Sequence, residues 1–384
     1  MQLLVQNGLI LQNNGLFLRG HVVVERGNIT ALTYGEVPPT CTNGEVLHAD
    51  NLMVCPGLID THNHGGNGFG YTGDENEWKK IQERLSATGV TSLTPTLESE
   101  TLDETLKFID RIGALMKKND SANVDIVGIH LEGPYLNVER KGMHQERFIR
   151  TASREEIDRI LDRANGIIKI WSMAPEISAN MSVIKTLAEA GVSVSVAHTE
   201  ADYDTALAAF SAGATRVTHT LNTMPALHQR YQGIVTAAWQ HGAFMELIAD
   251  GHHVSSTIIK MFVAASDPGK IVLVTDNNEC SGLAEGRYTI HGRPLIIEGT
   301  QLQCETGILA GSVAGLNQCA LNVSRCGFAA GLAIKMASEN PARSVGVFDR
   351  KGSIETGKDA DMVVMDGQFE VMATVKGGKI VYKK

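Results

Sequence analysis

No stretch of this 384-residue chain approaches the run of about twenty apolar residues that a membrane-spanning helix needs. The opening Met1-Gln-Leu-Leu-Val-Gln-Asn7 has neither the basic region nor the cleavage site of a secretory leader. Those absences imply a cytoplasmic protein with no membrane partner. Positive charge is in deficit: the formal net charge is -9, which repels a polyanion over most of the surface and excludes nucleic acid as a partner. A small anionic substrate remains admissible, because it needs only local positive charge. The six cysteines, Cys41, Cys55, Cys280, Cys304, Cys319 and Cys326, are scattered and never form C-x-x-C, so a zinc knuckle or redox pair is not indicated. They read as reduced thiols. Tandem repeats and low-complexity tracts are also missing, and at 43% apolar and 20% charged residues the chain has the composition of an ordinary globular protein.

The length allows two or three folding units. Short β-rich segments at Leu3 to Val5, Leu16 to Leu18, His21 to Glu25 and Ile29 to Leu32 are broken by Asn-Asn-Gly, Arg-Gly-Asn and Pro38-Pro39. The same texture returns in the last thirty residues, so residues 1–53 and 346–384 are expected to join in one small β-sandwich domain. Between them, apolar runs alternate with amphipathic stretches, the pattern of a parallel sheet. The runs are Leu52 to His62, Val90 to Leu97, Val124 to Glu132, Ile167 to Ala174, Val192 to His198, Arg216 to Leu221, Met245 to Asp250 and Ile271 to Asp276. Eight runs predict a (β/α)8 TIM barrel over residues 54–345. Helices are expected over Glu75 to Thr88, Leu102 to Lys117, Arg154 to Ala164, Asn180 to Ala190, Asp202 to Ala212, Ser255 to Ala265, Leu316 to Cys326 and Ala329 to Ser338. Residues 277–312, rich in glycine and short β-like runs, read as an insertion after the eighth strand.

Metal-ligating residue types fall at the downstream ends of these runs, where the loops of such a barrel build active sites. The first run leads into His62-Asn63-His64. Strand side chains alternate, so the two imidazoles share a face and can hold one cation. Glu132 ends the third run, His198 the fifth and Asp276 the eighth, while His219 lies in the sixth. Four imidazoles and two carboxylates suit a divalent transition metal, zinc first and iron, nickel or cobalt after it. Such a cation polarises a carbonyl or phosphoryl oxygen and lowers the pKa of water from about 15.7 towards roughly 7. Asp276 is suited to accept the proton of such a water and pass it on.

The motifs His130-Leu-Glu-Gly-Pro-Tyr-Leu-Asn137, Lys141-Gly-Met-His144, Val196-Ala-His198, Thr218-His219-Thr-Leu-Asn222-Thr-Met-Pro225, Ile248-Ala-Asp-Gly-His-His253-Val and Leu273-Val-Thr-Asp276 occur in this order. Together they resemble the N-acetylglucosamine-6-phosphate deacetylase family of the amidohydrolase superfamily. Pro56-Gly57-Leu-Ile-Asp60 and Lys351-Gly-Ser-Ile-Glu-Thr-Gly-Lys-Asp-Ala-Asp361 extend the resemblance nearly end to end. Ile248 to Val254, Gly286-Arg-Tyr-Thr-Ile and Leu309-Ala-Gly-Ser312 look at least as much like the branch acting on N-acetylgalactosamine 6-phosphate.

The resemblance implies a metal-dependent hydrolase of linear amide bonds that deacetylates an N-acetylhexosamine 6-phosphate in amino-sugar catabolism, with one or two ions per subunit. It places His62, His64 and Glu132 on one ion and Glu132, His198 and His219 on the other. It implies that Arg230 and His253 bind the phosphate from a neighbouring subunit of a homodimer, with Asn222 and Thr223 nearby. His144 then contacts the sugar, and Leu309, Ala310, Gly311 and Ser312 form a loop over the hexose. His130 matches no family ligand and is expected either to support the ligands from behind or to fill the barrel.

The chain departs from the family at Asn277-Asn-Glu-Cys280, where small residues are usual, at Arg230-Tyr231-Gln232-Gly233, and at Thr223. These departures bear on pocket shape and hence on substrate choice. Cys280 is expected to be a loop thiol. A cyclic amidase of the same superfamily is the rival enzyme reading, but it needs a lysine at the end of strand four, and Lys169 comes too early. A non-catalytic barrel scaffold is the remaining alternative; the six retained ligand-type residues argue against it.

Overall fold

A computed structural model describes residues 2–35, 37, 44–118 and 123–384; Cys41 and the Pro38-Pro39 break lie outside them. The eight apolar runs become eight parallel strands in sequence order: Leu58–Asn63, Val90–Leu97, Ile129–Glu132, Ile168–Met173, Ser193–Val196, Ala214–Val217, Phe244–Leu247 and Ile271–Leu273. Each pairs with the next. The chain after the eighth closes on the first, where Asp276 N donates to the His62 carbonyl at 2.9 Å and Asn63 bridges to Asn277. Helices cover the outside, so the strands are buried on both faces, which is why they read as continuous apolar runs rather than alternating ones.

Four of the helices, Glu75–Ala87, Leu102–Lys117, Arg154–Ala164 and Tyr203–Ala212, start at side-chain caps. Asp74 accepts from the Asn76 and Glu77 backbone N–H groups while Glu77 returns a carboxylate to the Asp74 N–H, which nucleates Glu75–Ala87. Trp78, Ile81 and Leu85 then share the buried face of that helix. The short helix Glu339–Ser344 is absent from the sequence expectation, and so is Ile234–His241. Its apolar residues run almost all round, with Ile234, Val235, Ala237 and Ala238 buried, so no polar face marks the helical period.

The run Leu52 to His62 divides into two strands at Gly57. Met53–Pro56 joins Met362–Met365 and Leu9-Ile10 in a second sheet, and only Leu58–Asn63 enters the barrel. The chain passes the wall so closely here that a Cβ on Gly57 would lie 2.1 Å from the Thr91 hydroxyl. The second sheet holds eight strands from both chain ends. It encloses its own core, which includes Leu3, Val22, Ile29, Val54, Met362 and Val375.

Buried charges join this sheet to the barrel. Lys351 Nζ lies 2.7 Å from Asp125 Oδ2 and 3.2 Å from Asp359 Oδ2 and bonds to Asp361, while Lys376 Nζ reaches Asp125 Oδ1 at 2.6 Å. The insertion is a three-stranded antiparallel sheet, Gly286–Ile290, Arg293–Glu298 and Gln301–Cys304. Cys280 is buried with Leu295, Ile297 and Ala310 in the insertion's core, and burial pushes its thiol up to about 11. Among the described residues, no helix is long and apolar enough to cross a membrane.

Candidate active site

His62 is the last residue but one of the first strand, and its Nε2 points into the barrel mouth. There it meets His64 Nε2 at 3.2 Å, Glu132 Oε1 at 3.2 Å and Asp276 Oδ1 at 3.4 Å. Glu132 ends the third strand and stands at the centre: His64 Nε2 approaches its Oε2 at 3.3 Å, and His198 and His219 approach its Oε1 at 3.4 and 3.2 Å. His64 also reaches Asp276 Oδ1 at 3.3 Å, and His198 Nε2 faces His219 Nε2 at 3.0 Å. All six predicted metal-site residues therefore converge on one focus.

Only His62 and Glu132 sit within strands. His198 and His219 come two residues past the ends of theirs, at Val196 and Val217, and Asp276 comes three residues past Leu273. These three have positive φ, 43°, 26° and 50°. A left-handed turn at a non-glycine residue is strained by about 1–3 kcal/mol. The strain swings each side chain inward at once instead of letting it continue along the strand.

The donor set fits a cation. His62 Nδ1 faces the Glu246 carboxylate at 2.9 Å, and His198 Nδ1 faces the Arg140 carbonyl at 2.7 Å. Both partners are pure acceptors, so each Nδ1 carries hydrogen and leaves an Nε2 lone pair aimed at the focus. Lone pairs that oppose one another at 3.0–3.2 Å require a positive centre between them, either protons or a metal. The electrostatics point the same way. Burial opposes a charge on His64, yet Asp276 and Glu132 raise its imidazole to about 10. Burial likewise works against Glu132 and Asp276, and the charge on His62 still holds both carboxyls well below the usual range.

His144 differs from the ligand candidates. Its Nδ1 accepts from the Ser99 backbone N–H at 3.1 Å, so its Nε2 carries the proton and donates towards Glu132 Oε2 at 3.3 Å. A histidine in that state offers a hydrogen bond to a substrate and no lone pair to a metal.

A chamber of about 260 Å³ opens above the focus. His144, Asn222, Thr223, His253, Leu309, Ala310 and Gly311 line it. Ser312 lies behind the wall, buried, with its hydroxyl on Asn277 Oδ1 at 2.9 Å. One expectation needs correction. His253, assigned to a neighbouring subunit's pocket, lines its own chain's chamber, because Asp250 grips its Nδ1 at 2.7 Å and turns the ring inward. Arg230 is exposed on the loop after the sixth strand and does not line that chamber.

Sequence reasoning passed over Glu246 and Arg216 as site residues, although both are fully buried directly behind His62. Burial opposes ionisation of Glu246, but the charges of His62 and Arg216 hold its carboxyl down to about 2. The available signal was a glutamate inside the apolar run Met245-Glu-Leu-Ile248, where a barrel strand should carry none. Arg293 and Glu98 also line the chamber and were not foreseen, as does Asn278 from the departure at Asn277-Asn-Glu-Cys280. His130 sits behind the focus as expected, its Nε2 on Ser172 Oγ at 2.7 Å.

A parallel barrel whose mouth gathers imidazoles and carboxylates defines a metal-site hydrolase, and the chain belongs to the Amidohydrolase family, which it matches over residues 53–381. Among curated relatives, it is 31% identical to the N-acetylglucosamine-6-phosphate deacetylase of Bacillus subtilis (strain 168), covering 99% of this chain and 97% of that one. It is 32% identical to the N-acetylgalactosamine-6-phosphate deacetylase of Escherichia coli O157:H7, covering 85% and 87%. The crystal structure of N-acetylglucosamine-6-phosphate deacetylase from Pasteurella multocida superposes with a TM-score of 0.92 at 26% identity, over 99% of both chains. That of the Mycobacterium smegmatis enzyme in complex with N-acetyl-D-glucosamine-6-phosphate gives 0.89 at 30%, over 100% of this chain and 99% of that one. Within the amidohydrolases, the chain thus falls in the family of the N-acetylhexosamine-6-phosphate deacetylases.

Proposed function

We propose that this protein hydrolyses the acetamide of an N-acetylhexosamine 6-phosphate, releasing acetate and the amino sugar phosphate, as a step of amino-sugar catabolism. The observation that carries the reading is the meeting of His62, His64, His198 and His219 with Glu132 and Asp276 at 3.0–3.4 Å on the floor of the chamber. His62, His64 and Glu132 would hold one divalent transition metal ion, zinc by donor type, and Glu132, His198 and His219 another. Bound there, the metal supplies Lewis-acid polarisation of the amide carbonyl and a more acidic water. Asp276, beside that focus, takes the proton of the attacking water and returns it to the departing amine nitrogen, which cannot leave as an anion. His144 donates from Nε2 to the substrate, and Leu309 to Gly311 cover the sugar.

His253, an imidazole whose positive charge the Asp250 carboxylate favours, takes the phosphate within its own chain, with Asn222 and Thr223 beside it. Burial opposes that charge, and the Asp250 carboxylate still raises the ring above its ordinary range. We further propose that the protein works as a homodimer and that Arg230 serves the neighbouring subunit's phosphate site. The loop carrying Arg230 supports this, because it also exposes Leu227 and Tyr231, at 50% and 71%, to be covered by a partner. Five cysteines free of disulfides favour a reducing compartment, the cytoplasm. Lys169 lies near the start of strand four, at the opposite end from the chamber, which counts against the cyclic-amidase reading.

The test is metal analysis paired with turnover of N-acetylglucosamine 6-phosphate, its galacto epimer and the unphosphorylated sugars. The reading requires acetate release from at least one phosphorylated epimer and far less from the free sugars. Metal-loaded protein inert towards both phosphorylated epimers refutes it.

A further inference from the structure

A buried ion pair crosses the barrel interior behind His62. Arg216 Nη1 lies 2.9 Å from Glu246 Oε1 and 3.3 Å from Thr61 Oγ1, and Arg216 Nη2 bonds to Ser344 Oγ. Arg216, Glu246 and His62 have no solvent exposure. Among the described residues, Arg216 Nε finds no partner. As a stability device this is a poor choice: such a pair is costly to desolvate, apolar side chains of similar volume usually serve as well or better, and branched apolar residues are the common filling of this fold.

The pair does place one oxygen with care. Glu246 Oε2 accepts from His62 Nδ1 at 2.9 Å and from the His219 backbone N–H at 3.1 Å. The first bond decides which nitrogen of His62 carries hydrogen. The second braces a residue whose φ is +26°. One carboxylate therefore touches both halves of the ligand set from behind, and Arg216 occupies its other oxygen so that it cannot turn away.

We propose that Glu246, clamped by Arg216, is a positioning residue that fixes the Nδ1–H form of His62 and the backbone of His219, and thereby sets the cation affinity of the site. The inference rests on the reading of His62 as a metal ligand; it does not depend on which substrate is used.

In Glu246→Gln the amide oxygen stays on Arg216 and the amide NH2 faces two N–H donors. To relieve that clash, His62 must move its hydrogen to Nε2 and lose the lone pair aimed at the focus. Titration of metal-depleted protein with Co(II), followed by visible absorption and calorimetry, should show affinity at the His62 position reduced by about 10- to 100-fold, the usual cost of losing a carboxylate behind a ligating histidine. The pair Glu246→Leu with Arg216→Met removes both charges together, so stability to denaturant should hold or rise while Co(II) affinity falls as in Glu246→Gln. A purely structural pair would leave Co(II) binding unchanged in that double variant, and this result overturns the proposal.

A measurement on the unaltered protein makes the inference independent of whether variants fold. Nitrogen-15 spectra of histidine-labelled, Zn(II)-loaded protein must show His62 protonated at Nδ1, and protonation at Nε2 sinks the idea. His62→Ala separates the two levels of the argument. If it binds Co(II) like the unaltered protein, the ligand assignment fails; if it weakens binding and Glu246→Gln does not, only the role of Glu246 fails.

Discussion

At the scale of single residues, the active site is a competition between burial, which disfavours charge, and a cluster of opposite charges, which restores it. Asp276 shows which wins. Its oxygen sits 3.3 Å from His64 Nε2 and 3.4 Å from His62 Nε2, and against burial the charge on His62 holds its carboxyl below the usual range. Replacing it with asparagine keeps the shape and removes the base. Asp276→Asn should therefore lose about 10²- to 10⁴-fold in kcat with metal content and melting behaviour retained. His198→Ala should lose turnover together with bound metal, and near-normal rates in either variant would remove that residue from the mechanism. Arg230 poses a different question, since it lies outside its own chain's chamber. Arg230→Ala should raise KM for the phosphorylated sugar while changing kcat little, and an unchanged KM would take Arg230 out of phosphate recognition.

At the scale of elements, the barrel supplies the ligands and the insertion supplies the roof. The roof is tied to the floor at Gly311, whose φ is +74° and where a Cβ would lie 2.5 Å from the Asp276 carbonyl oxygen. Ser312 N donates to that same oxygen at 2.9 Å, and Asn278 Nδ2 holds the Ala310 carbonyl at 2.7 Å. Gly307, also left-handed at +80°, has open space where its Cβ would go. Both glycine-to-alanine changes incur the strain of a positive φ, about 1–2 kcal/mol, but only one pushes on the Asp276 backbone. Gly311→Ala should depress kcat at least tenfold, while Gly307→Ala should leave it within about twofold. Equal kinetics in the two variants would uncouple the roof from Asp276.

At the scale of the whole molecule, the two chain ends form one sheet fastened to the barrel floor by Lys351, Asp125, Asp361 and Lys376. Burial disfavours the Lys351 ammonium, but Asp361 and Asp125 raise its pKa above the ordinary value. A folded-state pKa above the unfolded value of about 10.4 means this contribution is complete below that pH and is lost as pH rises through the folded value. Asp125 has the opposite sign: burial opposes its charge, yet Lys351 lowers its pKa, so its share is present above about 3.9 and is lost as pH falls. Lys351→Met takes the lysine from buried Asp361, leaves Asp125 with Lys376, and should cost about 3–5 kcal/mol in denaturant unfolding near neutral pH. The deficit should shrink in alkaline solution, where the native protein also loses the ammonium. A variant as stable as the parent at neutral pH would mean that the charges do not fasten the sheet.

Much of this protein was legible in its residues one after another. Period and punctuation gave eight strands and most of the helices, because burial on two faces leaves a continuous apolar run and caps mark helix ends. His62, His64, Glu132, His198, His219 and Asp276 were readable because polar groups that ligate metals stand out at the ends of apolar runs. Three-dimensional packing decided the rest. Gly57 splits one run between two sheets, Ile234–His241 hides its period by being apolar all round, His253 turns into its own chamber because of Asp250, and Glu246 matters because of what lies across the barrel from it. A sequence records which groups a chain carries and their local period. Which of them meet across a barrel depends on the direction of each side chain at closure, and that is fixed only when all eight strands are in register.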